Sequence, residues 1–426
     1  MDPRPPPQQP GPAASAAPSA AAPNHRTRLP SLTGLRFFAA LSVFFFHTGL
    51  FNSPIPPNGN VNPFADHDVA HAYEEIFSKS GYVGVSFFFV LSGFVLAWAS
   101  RPGEPARTFL RRRVVKIFPN HLVIFALAMI LFAGSIAAPS AWLPNIFLLQ
   151  TWFPQASINL GVSPPSWTLG SELLFYMSFP LMIGPLRRIA VGRLWTWAGL
   201  MIAGMVVWQL ITQFVIPSTP ASAISPVSNT QFWFGYLFPP GRMFEFVLGI
   251  LLARLVMAGK WPRIGALPLA GLMIAGYAAA LVVPFEYGLV VASIIPVAAI
   301  IASMALSDVE GRRTGLRNKV MVWLGEVSFG FYLCQGITIF YLRTVIGAAK
   351  FDTAVGILVI AGCFVVTLFC GWLLHSCVER PMMRRWSRRR TPARTPEPTV
   401  AVPAPGYREG VAVYTAGERR SPVVEG

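Results

Sequence analysis

Residues 34–49 read GLRFFAALSVFFFHTG. The stretch is apolar enough to lie in a bilayer, yet Arg36 stands near its start and His47 near its end. At about 100° per residue, the eleven steps between them make roughly 1100°, three turns plus about 20°, so a helix puts both on one face about 16 Å apart along its axis. An ionisable group inside a membrane span is costly, and by default it marks a site or a buried partner.

The rest of the chain shares this character. Of 426 residues, 54% are hydrophobic and 12% charged, and the mean hydropathy is +0.53. Soluble domains carry roughly 25% charged residues, so the composition indicates a multi-span membrane protein. Its net charge of +16 fits the loop bias that orients such chains, and no nucleic-acid partner is expected. Four cysteines, Cys334, Cys363, Cys370 and Cys377, show neither disulfide nor metal spacing and read as small packing residues.

A window of about 19 residues predicts ten spans, near 33–51, 82–99, 120–138, 168–184, 195–216, 240–257, 264–283, 287–306, 321–342 and 353–377. An even number leaves both termini on one side. The basic clusters RPGEPARTFLRRRVVK, RRIAVGR, KWPR, GRRTGLRNK and RRWSRRR all fall on that side, and the positive-inside bias makes it cytoplasmic. The expected fold is an all-α bundle of about ten transmembrane helices in the cell membrane. Residues 1–30, rich in Pro and Ala, and the basic segment 387–426 read as disordered tails flanking a membrane domain at 31–386. The segment 52–81 reads as a solvated acidic loop; His67 and His71 stand four apart in it, a spacing too sparse to predict a metal site.

Polar residues recur within the spans. With Trp167 at the outer interface, Glu172 enters the outer half of the membrane on span 4; Arg242 and Glu245 do so on span 6, and Gln335 reaches a similar height on span 9. Each has a plain structural reading. A membrane histidine bonds to a neighbouring helix, Arg36 snorkels to headgroups, and Arg242 neutralises Glu245 three residues on. Together they read as a site, because His beside a carboxylate is suited to take a proton from a hydroxyl. Arg107, Arg111, Arg112, Arg113 and Lys116 form a basic cluster, fit for anionic lipid or for the phosphates of a cytosolic donor.

These motifs resemble the acyltransferase-3 family of bacterial integral membrane O-acyltransferases, over about residues 31–386. The resemblance is carried in order by RFFAALSVFFFH, GYVGVSFFFVLSGFVLA, FLRRRVVKIFP, SWTLGSELLFY, GRMFEFVLG, LGEVSFGFYL and VERPMMR. It implies an acyl-CoA co-substrate, His47 as the catalytic residue supported by Arg36, and donor phosphates at Arg112, Arg113 and Lys116; Glu172 and Arg242 carry over from their motifs. Two departures stand out. Lys116 replaces the second Arg of the loop motif, giving a point charge in place of a fork, and Gln335 stands where span 9 usually presents His, offering hydrogen bonds but no second base.

The expected reaction moves an acyl group, acetyl favoured, from acyl-CoA to a hydroxyl of a carbohydrate or glycosylated acceptor. Catalysis rests on His47, Glu172 and Arg36, with Arg242, Glu245 and Gln335 towards substrate; neither a metal nor a permanently bound cofactor is expected. His47 acts as the base, Glu172 orients it, and a transient acyl-His47 remains an alternative. The rival class is a small-molecule transporter using the same polar midmembrane groups without making a bond.

Overall fold

The computed structural model describes residues 28–55, 59–132, 138–222 and 225–386. The two tail assignments, at 1–30 and 387–426, lie almost entirely outside them. The long helices are α1 (Pro30–Gly49), α3 (Ser80–Ala99), α4 (Ala106–Leu131), α5 (Trp167–Arg188), α6 (Leu194–Phe214), α7 (Pro239–Met257), α8 (Ala266–Val282), α9 (Val291–Val309), α10 (Lys319–Gln335) and α11 (Thr353–Leu374), with a shorter α2 (His67–Phe77) between α1 and α3. Among the described residues there is no named strand, only two isolated bridges.

Eight helical segments among the described residues are long and apolar enough to cross a membrane. The two predicted spans outside that number have evident reasons: α7 carries Arg242, Glu245 and Arg254, and α8 is 17 residues long.

Two predicted boundaries change. The Arg-rich stretch expected as a loop forms the first turns of α4, which starts at Ala106 and continues through Pro119. Arg and Lys are good helix formers, and the helical period gathers Arg112, Arg113 and Lys116 on one side, within about 100° of one another. The expected loop 52–81 contains α2, whose Asp66 side chain caps the backbone N–H groups of Asp68 and Val69 at 3.0 Å each. Val69, Tyr73 and Ile76 then turn one apolar face towards Phe44 and Phe45 of α1.

Little hydrophobic driving force exists between helices in lipid, so close approach and shape hold them together. Helices α3 and α7 meet at paired glycines: a Cβ on Gly93 would strike the Phe246 carbonyl, and one on Gly249 the Val90 carbonyl. Helices α1, α10 and α11 meet in an aromatic cluster, with Phe331 at 5.6 Å from Phe37, 5.7 Å from Phe44 and 5.8 Å from Phe364 between ring centroids. The start of α1 is anchored by Asp308 of α9, which accepts the Ser31 backbone N–H at 2.9 Å and its hydroxyl at 2.7 Å. That carboxylate satisfies a donor that the first turn leaves free and suits the positive end of the helix dipole. These contacts set α1 against α10, and hence His47 against Gln335.

Candidate active site

Two cavities follow one another along α1. The first, about 80 Å³, is lined by His47 and by the rings of Tyr82, Trp167, Tyr236, Tyr332 and Phe340. No Asp, Glu, Lys or Arg stands among the described residues around it. Within this aromatic chamber, His47 Nδ1 lies 2.7 Å from Gln335 Oε1. The Gln335 amide nitrogen donates to the Ala40 carbonyl at 3.2 Å, which turns the amide oxygen to the imidazole. An amide oxygen can only accept, so this network puts the proton on Nδ1 and leaves the lone pair on Nε2. Beyond Gln335 the chain widens into a π-helical stretch, Gly336–Tyr341, a local form often found at functional sites. It sets the Phe340 ring 5.1 Å from the imidazole.

The second cavity, about 50 Å³, is walled by Arg36, Lys116, Thr168 and Glu172 among others. Here Tyr176 donates to Glu172 Oε2 at 3.1 Å. Lys116, Arg36 and Arg113 act on the same carboxylate through space, while Glu379, at the end of α11's π-helical extension, acts on Lys116 and Arg36. Arg113 stacks near the Phe109 and Tyr176 rings, at 5.5 and 5.7 Å. Arg112 pairs with Glu104. In this charged chamber each cation thus has an acid close by. Val85 and Tyr332 line both chambers.

The structure rearranges the expected constellation. Glu172 does not bond to His47; Gln335 does, while Glu172 belongs with Arg36 and Lys116. Trp167, expected at the outer interface, is buried in the wall of the aromatic chamber. Glu172, five residues or about 7.5 Å further along α5, lines the second cavity with Arg36. Arg36 and His47 do share a face of α1, each opening into one chamber.

Arg242 and Glu245, expected towards substrate, line neither chamber. Both are fully buried, with Arg242 Nε 2.9 Å from Glu245 Oε2. The guanidinium lies 4.7 Å from the Tyr236 ring and 5.0 Å from Phe89, so the pair braces the aromatic wall from behind. Gln335 likewise reaches the site through His47. Sequence reasoning missed Tyr332 and Glu379. Tyr332 had a readable signal, since it precedes Gln335 by three positions on one helix face. His67 and His71 lie on α2 with ring centroids 4.2 Å apart and planes tilted by 47°, and no group of three or more potential metal ligands converges among the described residues.

A membrane bundle presenting an imidazole and a buried charge cluster along one helix defines a class, and comparison with known proteins supplies its family. The family model of an acyltransferase domain matches residues 29–376, and the chain belongs to that family, the membrane acyltransferase-3 proteins. Among its relatives is Acyltransferase MdmB of Streptomyces mycarofaciens, 40% identical over 386 residues that make up 87% of this chain and 96% of that protein. Nodulation protein 10 of Rhizobium leguminosarum bv. viciae is 25% identical over 47% of this chain and 55% of its own. The putative peptidoglycan O-acetyltransferase YrhL of Bacillus subtilis (strain 168) is 26% identical over 37% of this chain and 24% of its own. No solved structure matches.

Proposed function

We propose that this acyltransferase takes its acyl group from acyl-CoA and passes it to a hydroxyl of a carbohydrate or glycosylated acceptor, from a ten-span bundle in the cell membrane with both termini cytoplasmic. The donor enters the charged chamber, with its phosphates held towards Arg112 and Arg113 and its thioester sulfur beside Lys116 and Arg36. The acceptor occupies the aromatic chamber, whose rings suit the apolar faces of a sugar.

At the junction, His47 Nε2 removes the hydroxyl proton as the oxygen forms its bond to the thioester carbonyl carbon. The carbon–sulfur bond then breaks, and the imidazolium returns its proton to the sulfur, giving the ester and free CoA thiol. Glu172 keeps Lys116 and Arg36 beside the departing thiolate, where their charge is most useful. Gln335 holds the tautomer, doing by a neutral hydrogen bond what a carboxylate does in hydrolase triads.

The observation carrying this reading is the His47–Gln335–Ala40 chain, which leaves Nε2 unprotonated in a cavity adjoining a cation cluster. Its test is His47→Ala in the purified, detergent-solubilised protein, assayed for CoA thiol released from acetyl-CoA with mixed sugar acceptors. Transfer should fall by at least about a hundredfold while the protein still inserts and purifies. Full activity would remove the mechanism, and wild type that releases no thiol in detergent yet moves sugars across proteoliposome membranes would point to a transporter.

A further inference from the structure

The two chambers meet at two side chains, Val85 of α3 and Tyr332 of α10, the residues common to both linings and here termed the neck. Both are buried, at 4% and 6% exposure. Neither has much freedom to move. Val85 follows Gly84, where α3 lies so close to α1 that an added Cβ would meet Ser42 Oγ at 2.6 Å and Val43 Cγ2 at 2.8 Å. Tyr332 is tethered by its hydroxyl, which donates to the Pro165 carbonyl at 3.0 Å, and its ring lies 6.1 Å from Phe88. Val85, on a helix packed without slack, and Tyr332, tied at its far end, thus make the wall that the two chambers share.

We infer that Val85 and Tyr332 set the length of acyl group that the protein transfers. The inference rests on the acyl-CoA reading above: with the pantetheine arm in the charged chamber, the thioester carbonyl meets His47 only if the acyl chain passes the neck into the aromatic chamber. That chamber offers about 80 Å³, which the acceptor hydroxyl must share. Packed walls neither stretch nor collapse freely, and Val85 takes part of the room on the aromatic side, so short acyl groups fit beside it and longer ones press against it.

Each methylene accommodated or refused in such a pocket changes specificity by about ten- to two-hundredfold. Removing two methyl groups with Val85→Ala should therefore raise kcat/KM for butyryl- and hexanoyl-CoA relative to acetyl-CoA by about tenfold or more. Val85→Leu should move the ranking the other way, confining transfer to acetyl, and keeps the inference testable if the smaller side chain loosens the bundle. The assay is CoA thiol release against acceptor with a series of acyl-CoA donors, on variants whose size-exclusion profile matches wild type.

A ranking that follows the side-chain volume at position 85 supports the inference. An unchanged ranking in both variants, with wild type active on acetyl-CoA, overturns it and leaves the donor reading standing. Absence of thiol release from wild type with every donor overturns the donor reading and this inference together.

Discussion

The two chambers have opposite chemistry although they share a wall. Around His47 the described lining is mostly aromatic and apolar, and its polar partners are neutral, without a charge other than the imidazole can carry. Around Glu172, Arg36 and Lys116 line the same cavity, with Arg113 and Glu379 acting on them through space. A buried charge is tolerated when it is paired, and a neutral imidazole needs no counter-charge at all. The contrast teaches that the base and the cations need not touch to serve one reaction. In the proposed reaction a hydroxyl acceptor and an anionic donor would ask for different surroundings, and one helix, α1, supplies a residue to each chamber.

Breaking the contrast on the His47 side should have the largest effect. Gln335→Leu removes the acceptor that keeps the proton on Nδ1, so the ring is free to present either nitrogen. Expected is a fall in kcat of about ten- to a hundredfold, smaller than loss of the base itself, with donor KM little changed in a steady-state assay. Gln335→Glu, which still accepts from Nδ1, should retain more activity than Gln335→Leu. Equal loss in both would show that packing at position 335, and not the tautomer, is what counts.

Breaking it on the other side should divide the Michaelis constants. Lys116→Met deletes a cation that balances Glu172 and Glu379, and acyl-CoA KM should rise about tenfold with acceptor KM nearly constant. Trp167→Ala opens the aromatic wall and should do the reverse, raising acceptor KM a few-fold, about what loss of one stacking ring costs. The comparison fails if both substitutions raise the same KM, because the chambers would then not serve separate substrates.

Much of this was legible from residues alone. The apolar windows anticipated where the long helices lie, the motifs identified the family, and the eleven-residue step correctly set Arg36 and His47 on one face of α1. The surroundings of Glu172 were the weak point. Counting rise per residue from Trp167 gives a height along one helix but not the neighbours met there, and nothing local in PPSW shows that the Trp167 ring forms a cavity wall. Partners across helices were hidden for a related reason. Gln335 and His47 are 288 residues apart, and their bond depends on how α1 meets α10 through Phe44 and Phe331. Arg242 and Glu245 were readable as a neutralised pair from their spacing, and that plainer reading matches where they lie.

The central claim is that donor and acceptor approach His47 from opposite sides of the Val85–Tyr332 neck. It is tested most directly by a cryo-electron microscopy structure of the protein bound to a non-transferable thioether analogue of acetyl-CoA. The account expects the pantetheine arm between Arg36, Lys116 and Glu172, with its acyl end at the neck facing His47 Nε2. An analogue seated in the aromatic chamber from the other side, or bound away from Arg36 and Lys116, would contradict it.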